Sequence, residues 1–265
     1  MAKAWTAGRL KYGYLFRLLV ERDLRERYAG SWMGLSWSLI QPAALFGIYD
    51  LVFSVILRVH PDPVFAGVPF ADWLMAGLAP WLFLAEVLAR SPVSVTEHAR
   101  MVSNNAFPNE LLPTVTTVSA CINHLVTLAL LALFLAWKGI LVPASIPALL
   151  PWMGVLLLLN LGVAWFCAAV GAYFRDLAQL AGLLAMAWGF ATPIFYPEAA
   201  VPAGYGWLLW LNPACLVVRG YRLALLGRPD LSWRDFGMAA AWAMGFAALG
   251  YLSFRRLKRG FADQL

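Results

Sequence analysis

Among the ionisable side chains inside long apolar stretches of the sequence, Asp50, Glu86 and His124 are the candidates that could carry chemistry. An acid and an imidazole that converge on a lipid-sized pocket could move a proton during glycosyl or acyl transfer. Each residue also has a simpler interpretation. Inside a membrane Asp50 must face water or a partner, Glu86 has Arg90 one helical turn later, and His124 can hydrogen-bond to a neighbouring helix.

The residue types that bind nucleotides and metals do not occur in the required patterns. None of the lysines follows glycines at the spacing of a P-loop. The three histidines are scattered without carboxylates at ligand spacing, and the three cysteines are far apart. The sequence therefore predicts no catalytic residue, no metal site and no cofactor bound by this chain, and it favours a conduit over an enzyme.

Membrane-spanning helices are the elements predicted to position these residues. The chain is 62% hydrophobic and 13% charged, which is more apolar surface than one soluble core could bury. A helix needs about 20 apolar residues to cross the hydrocarbon core. Six spans are predicted: Trp32–Leu57, Phe70–Leu88, Leu111–Trp137, Ile146–Phe174, Leu177–Phe195 and Phe236–Phe254. We expect an all-α integral membrane protein of one domain, residues 1–265, with a membrane part over 32–254.

Basic residues predict the orientation. With six spans, 14 of the 20 lysines and arginines fall on the side of the termini, which includes the C-terminal cytoplasmic residues 255–265, and six fall on the other side. Because cytoplasmic segments are enriched in Lys and Arg, both termini are predicted to be cytoplasmic. No cleavable signal peptide is expected before the first span.

A seventh charge-free stretch, Ala199–Val218, is long enough to span but is interrupted by prolines and glycines. Irregular backbone at membrane depth is tolerated only where protein or a water-filled path surrounds it. We therefore expect residues 199–218 to form a re-entrant periplasmic gate between the fifth and sixth spans. The charge distribution alone does not decide between a re-entrant and a spanning segment.

An N-terminal arm, residues 1–31, precedes the first span. Arg9–Tyr28 is compatible with an amphipathic interfacial helix that carries acidic and basic side chains in the favourable i, i+4 order. A basic orientation signal explains the positive charge equally well, but the alternating sign of the charges favours a helix. At its end, Gly30, Gly34 and Ser38 recur every four residues and predict a small face for close helix contact.

An ordered set of motifs resembles the membrane subunit of type-2 ABC exporters for polysaccharides, the group that handles O-antigen, capsule and teichoic acid. The motifs are RYAGSWMG at 27–34, WS at 37–38, QP at 41–42, VFS at 52–54, NNAFPNELLP at 104–113, TPIFYP at 192–197 and LNP at 211–213. Arg219 and Tyr221 follow the last motif. The resemblance covers most of the chain, and it departs at Asp50, where a neutral residue is expected.

The resemblance implies a half-channel in the bacterial inner membrane that forms a homodimer and docks two copies of a separate ATPase, which binds ATP and Mg²⁺. A lipid-linked glycan would pass through a channel at the dimer interface, with membrane lipids as further partners and no nucleic acid. The implied channel-lining residues are Trp37, Gln41, Tyr49, Phe53, Trp188, Phe195 and Tyr196. The implied gate residues are Trp207, Trp210, Asn212 and Pro213. The implied contacts with the ATPase are Arg22, Arg25, Tyr28, Glu97, Arg100, Asn105 and Phe107.

Three functions fit the sequence. The first is the permease subunit of an ATP-driven exporter of a lipid-linked polysaccharide, with O-antigen ahead of the other glycans. The second is a type-2 ABC permease for capsule or teichoic acid, or for a small amphiphile or a drug. A narrow channel lined by aliphatic residues would favour the small amphiphile or drug. The third is an intramembrane lipid-linked glycosyl- or acyltransferase, which requires Asp50, Glu86 and His124 to converge.

Overall fold

The computed structural model describes residues 2–27, 31–59, 65, 67–102, 107–227 and 232–264, and these residues contain helices and no strands. The helices are α1 (Ala2–Glu26), α2 (Trp37–Tyr49), α3 (Phe70–Arg90), α4 (Ala99–Val102), α5 (Leu111–Trp137), α6 (Leu149–Gly171), α7 (Leu177–Ala191), α8 (Trp207–Leu211), α9 (Pro213–Leu225), α10 (Trp233–Leu257) and α11 (Phe261–Gln264). A π-helical segment, Asp50–Ile56, continues α2. The predicted all-α class is confirmed.

Five helical stretches among the described residues are long and apolar enough to cross a membrane: Trp37–Ile56, Phe70–Val93, Leu111–Trp137, Pro143–Gly171 and Trp233–Gly260. They correspond to the first, second, third, fourth and sixth predicted spans. The predicted fifth span contains α7, an apolar helix of 15 residues. At about 1.5 Å per residue, such a helix is shorter than the ~30 Å hydrocarbon core. A sixth crossing therefore stays a prediction.

The first span begins five residues later than predicted. Gly34 has a φ of +50° and lies in the short 3₁₀ turn Gly34–Ser36, so α2 starts only at Trp37. Positive φ is accessible to glycine at little cost but is incompatible with a continuous α-helix. The predicted small face is therefore wrong for Gly34, and Gly30 lies outside the described residues. Trp32, now outside the helix, is 98% exposed.

Helix α3 forms the centre of the bundle. In its span, Phe70–Val93, 83% of the apolar window is buried, against 6% in the first span, Trp37–Ile56. Helices α2, α5, α6, α7 and α9 all pack on α3. Few residues of the first span are therefore fully buried within this chain, although Leu45, Tyr49 and Phe53 pack against its core.

Helices α6 and α10 make the most extensive contact between two elements. At Gly162 and Gly250 their backbones touch, because a Cβ added to Gly250 would lie 2.0 Å from the Gly162 carbonyl oxygen. Small residues that let two backbones meet are a common way to hold helices together in membranes, where burial from water gives no driving force.

The two ends of the bundle can be told apart by the segments that lie there. At the end that we call basal, residues 91–102 and 107–110 pack with α1 and with the C-terminal residues. At the opposite end, which we call distal, residues 138–148 connect α5 to α6 and the N-terminus of α3 lies nearby.

A broken helical segment follows α7. Helices α8 and α9 are separated at Asn212, whose backbone is extended. Ala214, at the start of α9, borders one narrow space with Trp81 from the middle of α3. The end of α9 lies at the distal end, where Ser145 donates a hydrogen bond to the Ala224 carbonyl (2.6 Å). Helix α9 therefore runs from the middle of the bundle to its distal end.

Candidate transport path and coupling surface

The channel candidates on the first span divide between a cavity and a packed aromatic row. Trp37 and Gln41 border an open cavity near the basal end. Tyr49 and Phe53 lie one helical turn apart with ring centroids 5.9 Å from each other, and Phe53 continues to Phe70 of α3 at 5.2 Å. The distal half of the first span is therefore held against α3 by aromatic contacts.

The remaining channel candidates cluster at the end of α7. The Trp188 ring packs between Trp81 and Phe246, with centroid distances of 6.1 and 6.4 Å. Phe195 contacts Phe190, and the Tyr196 hydroxyl donates a hydrogen bond to the Phe190 carbonyl (2.9 Å). Among the described residues, no ring contact joins this set to the candidates on the first span.

A cleft lined by both polar and apolar side chains opens between α2, α3 and α5. One part has a volume of about 510 Å³ and a second, adjoining part about 480 Å³. Gln41, Glu86 and Asn123 line both parts, so the two form one space. We call it the α2–α3–α5 cleft; its other lining residues are Arg27, Ser31, Trp37, Pro42, Leu45, Ala79, Leu82, Phe83, Ala85, Arg90, His124 and Thr127.

Ion pairs line the basal mouth of this cleft and join α1 to α3. Arg90 pairs with Asp23 of α1 at 2.7 Å and lies 3.7 Å from Glu86, which confirms the expected Glu86–Arg90 pair. Glu86 also pairs with Arg27 and accepts a hydrogen bond from the Asn123 amide (3.3 Å). A displacement of α1 is therefore transmitted directly to side chains that border the cleft.

A second ion cluster lies at the distal end. The Lys138 ammonium group is 2.5 Å from Asp50 and 3.0 Å from the fully buried Asp72. It also lies 4.7 Å above the Phe134 ring. Asp50 thus has the partner that its position inside an apolar stretch required.

The three ionisable candidates for catalysis do not converge. His124 and Glu86 both border the α2–α3–α5 cleft, but Asp50 belongs to the distal cluster. His124 shares a hydrogen bond with the Tyr221 hydroxyl of α9 (3.1 Å), as expected for a residue that links neighbouring helices. Glu86 is paired with Arg27 and Arg90, and His124 is hydrogen-bonded to Tyr221, so both side chains link neighbouring elements of the bundle.

Asn212 organises the predicted gate. Its side-chain oxygen accepts hydrogen bonds from the Trp188 indole (2.8 Å) and from the backbone amide of Ala214 (3.1 Å), which caps α9. Its amide donates to the Thr192 hydroxyl (2.9 Å). Pro213 occupies the first position of α9, where its missing N–H costs nothing. The break between α8 and α9 is therefore stabilised by specific hydrogen bonds of Asn212 and by the position of Pro213.

The two gate tryptophans both lie in α8 but have different surroundings. Trp207 is 57% exposed. Trp210 packs against the core, with the guanidinium groups of Arg219 and Arg234 at 5.3 and 4.9 Å from its ring. Arg219 in turn pairs with Glu198 (2.5 Å) and, at the start of α10, with Asp235 (2.6 Å).

The predicted coupling residues lie at the basal end where they are described. Arg22 pairs with Glu26 at 2.7 Å on the exposed side of α1, and Arg25 is exposed. Glu97 and Arg100 are exposed in the segment between α3 and α5. Tyr28 and Asn105 lie outside the described residues.

Phe107 joins two apolar clusters. One contains Leu19 and Val20 of α1 with Val115 of α5. The other contains Val95 and Val102, with residues from α6, α10 and the C-terminus. The chain before α5 is therefore held at Phe107 by packing partners from both clusters.

The C-terminal residues complete this second cluster. Phe261 is fully buried, and its ring lies 5.3 Å from Phe254 and 6.1 Å from Tyr173. The Tyr173 hydroxyl donates a hydrogen bond to the Leu257 carbonyl (2.7 Å). Lys258 pairs with Glu110, just before α5. We call residues 258–264 the tail; it holds the segment 95–102 against the ends of α6 and α10.

Comparison with known proteins identifies the family. The profile of the family described as ABC-2 type transporter matches residues 14–226, which is most of the chain. The chain belongs to the ABC-2 type transporter family. This ABC-2 protein is therefore a multi-pass membrane protein of a transporter family, as its apolar helices require.

Curated relatives resemble the ABC-2 protein over nearly its whole length. It is 26% identical to the O-antigen export system permease protein RfbA of Klebsiella pneumoniae, with 97% of this chain and 99% of the relative covered. It is 27% identical to the protein of the same name from Myxococcus xanthus, with 80% of each covered. It is 24% identical to the polysialic acid transport protein KpsM of Escherichia coli, with 77% of this chain and 78% of the relative covered. The resemblance found in the sequence motifs is confirmed.

Sequence reasoning missed Arg222 of the ABC-2 protein. Its guanidinium is buried, lies 3.5 Å from the centre of the Trp73 ring and donates to the carbonyls of Trp73 (3.2 Å), Pro193 (2.8 Å) and Ile194 (2.9 Å). Gly77 makes room for it, since a Cβ there would lie 2.6 Å from the guanidinium. The sequence does place an arginine in an apolar segment, three residues after Arg219, which indicates that it needs a partner. Its partners are backbone carbonyls, which no residue type in the sequence marks.

Proposed function

We propose that this chain is the permease subunit of an ATP-driven exporter that moves a lipid-linked polysaccharide, O-antigen first among the candidates, across the bacterial inner membrane. The near-complete match to an O-antigen export permease, 97% of this chain and 99% of that protein, carries the proposal. Capsule-type glycans form the second candidate, which the match to the polysialic acid transport protein supports.

The channel of this proposal lies between two copies of the chain. The first span buries only 6% of its apolar window within its own chain, and α7 buries only Ala181 and Gly189. Leu183, Met186 and Phe190 of α7 are all more than half exposed. Faces of this kind suit a homodimer in which Trp37 and Gln41 from one helix and Phe195 and Tyr196 beyond the other border a common path.

The proposed topology has six crossings, cytoplasmic termini and a re-entrant gate. Because the fifth crossing is short, the remaining depth is completed by the segment after Thr192. The break at Asn212 lies in the middle of the bundle, near Trp81 and Trp188, which suits a segment that enters from the distal side and returns. Trp207 and Trp210 of α8 then lie on the descending arm.

Two copies of a separate ATPase, with ATP and Mg²⁺, would dock at the basal end. The candidate surface is formed by Arg22, Arg25, Glu97 and Arg100, which are exposed there. Phe107 packs behind this surface and contacts both α1 and the tail. Nucleotide binding on the partner would shift the population of channel states through these contacts and the ion pairs of Glu86, without covalent chemistry on the glycan.

The test uses the chain co-purified with the ATPase encoded beside its gene. Trp37→Ala is expected to lower surface glycan while the complex and its ATP turnover persist. Trp137→Ala is the matched control, because Trp137 is 81% exposed and is not a channel candidate. Phe107→Ala is expected to keep ATP turnover and lose export. A deletion strain with normal surface glycan, or a chain that binds no ATPase, refutes the proposal.

A further inference from the structure

The α2–α3–α5 cleft has the composition of a binding site for an amphiphile. Its basal mouth carries Arg27, Arg90 and Glu86, and its interior carries the amides of Gln41 and Asn123. Apolar side chains line the same space, among them Leu45, one helical turn after Gln41, and Leu82, one turn before Glu86. Its larger part, about 510 Å³, falls within the usual range of small-molecule sites.

Two side-chain amides that face the cleft, those of Gln41 and Asn123, keep hydrogen-bonding capacity that the described residues do not use. The Gln41 amide makes no hydrogen bond with any residue that the structure describes, and Asn123 uses one N–H for Glu86 at 3.3 Å. Amide groups at membrane depth are costly when they have no partner. Water or a ligand with hydroxyl groups is therefore required to satisfy them.

The position of the cleft along the bundle favours binding of a lipid's polar headgroup over binding of its hydrocarbon chain. Glu86 lies in the last turns of α3 at the basal end, and Asn123 lies 12 residues after the start of α5. At about 1.5 Å per residue, Asn123 lies about 18 Å from the basal end of α5 and Thr127, which also lines the cleft, about 24 Å, so the cleft extends beyond the middle of the ~30 Å hydrocarbon core. A polar headgroup could thus leave the basal leaflet and remain hydrogen-bonded inside the bundle.

The charges at the mouth favour a hydroxyl-rich group over a phosphate. Arg27 and Arg90 are balanced by Glu86 and Asp23, with which they form ion pairs. A phosphate would have to displace these carboxylates, whereas a sugar can donate to and accept from neutral amides. Trp37 at the mouth offers a ring face on which a sugar ring can stack.

We propose that the α2–α3–α5 cleft binds the sugar-bearing headgroup of a lipid-linked glycan within one protomer, before the glycan enters the path between protomers. This inference rests on the proposed export function and adds to it a loading site. Gln41 and Asn123 bind hydroxyl groups, and Leu45 and Leu82 line the side on which the lipid lies. The residues that line the mouth link this site to α1 and thus to the ATPase surface.

Photocrosslinking in cells tests the site. A benzoylphenylalanine at Leu82, which lines the cleft, is expected to yield an adduct that carries the glycan. The same probe at Leu125 is the control, because Leu125 lies at the same depth on α5, is 45% exposed and does not line the cleft. Gln41→Leu is expected to lower the Leu82 adduct about five-fold, as loss of a hydrogen bond predicts.

The outcomes separate the loading site from export itself. A strain that lacks the glycan identifies adducts with ordinary phospholipids, and a Leu82 adduct with phospholipid alone overturns the inference. Equal glycan adducts at Leu82 and Leu125 also overturn it. If the chain supports export and gives no glycan adduct at Leu82, the loading site fails while the proposed function stands. If deletion leaves export intact, the proposed function fails.

A second variant keeps the test independent of folding. Asn123→Ser retains a small polar side chain and is expected to lower the adduct less than Asn123→Leu does. Both variants are compared at equal membrane level and equal recovery of the ATPase. Identical adduct yields from both, at the level of the unsubstituted chain, contradict the binding role of Asn123.

Discussion

Replacing Phe261 by alanine tests whether the tail holds the coupling surface in place. The ring is fully buried among Phe254, Tyr173 and the segment that contains Val95 and Val102. A buried Phe→Ala change costs about 3–5 kcal/mol. We use about 3 kcal/mol, because the tail is the end of the chain and can rearrange, and this value raises the ratio of undocked to docked tail roughly a hundred-fold.

Hydrogen exchange of the full complex with its ATPase measures this effect. Peptides that cover 95–102 and 107–112 are expected to exchange faster in Phe261→Ala, while peptides from α3 do not change. Export per ATP hydrolysed is expected to fall in the same variant. Phe261→Leu keeps most of the apolar volume and is expected to cost about 1 kcal/mol, with a correspondingly small loss.

Two results would refute this reasoning. One is unchanged exchange in 95–102 when the peptides of the tail itself exchange faster, since the tail would then hold nothing. The other is equal loss of export in the alanine and leucine variants, because volume at position 261 would then be irrelevant. Gln264→Ala, at an exposed position of the tail, controls for changes that do not involve the buried ring.

Three further perturbations address other parts of the bundle. Lys138→Met removes the ammonium group that pairs with the buried Asp72 and is expected to lower thermal stability by about 3–5 kcal/mol. Adding Asp72→Asn should recover much of this loss, and no recovery would contradict the ion-pair account. Arg222→Met leaves three buried carbonyls without their donor, and each is expected to cost about 1–3 kcal/mol of stability. A cysteine substituted for the buried Ile194 reports on this change, because it should react with thiol reagents only when Arg222 is also replaced. Gly250→Ala forces α6 and α10 apart and is expected to lower the stability measured by thermal melting by about 1–3 kcal/mol or more. The control Gly245→Ala has open space around its Cβ and should be neutral, so equal melting temperatures of the two variants would exclude the close contact.

Features with a local cause could be predicted from the sequence. A run of apolar residues has to form a helix in a membrane, so the all-α class and most helix bounds followed. Asp50 and Glu86 had to have partners because a lone carboxylate in such a run is costly, although the sequence supplied only one of those partners, Arg90. The hydrogen bond of His124 was predictable in kind, and its partner, Tyr221, was not.

Features that depend on distant contacts could not be predicted. Arg222 binds backbone carbonyls, and every residue has a carbonyl, so no residue type marks its site. Phe261 follows a basic cluster and gives no sign that it is buried. The spacing of Gly34 and Ser38 suggested one helical face, but Gly34 has a positive φ and lies outside the helix. Residue spacing carries no information about backbone angles, so this departure could not be predicted. The α2–α3–α5 cleft joins three helices whose relative positions no local pattern encodes.

The backbone contact between Gly162 and Gly250 sets which parts of the bundle can shift during a transport cycle. Where two backbones meet without intervening side chains, there is nothing to repack, and α6 and α10 behave as one rigid frame. Helix α2 buries few residues and is attached at its distal end by the ion pair of Asp50, the residue that follows it, with Lys138, whereas the Arg27–Glu86 pair joins the end of α1 to α3. Opening and closing would then be rocking of the first span against a fixed frame, with the Asp50–Lys138 pair as its pivot.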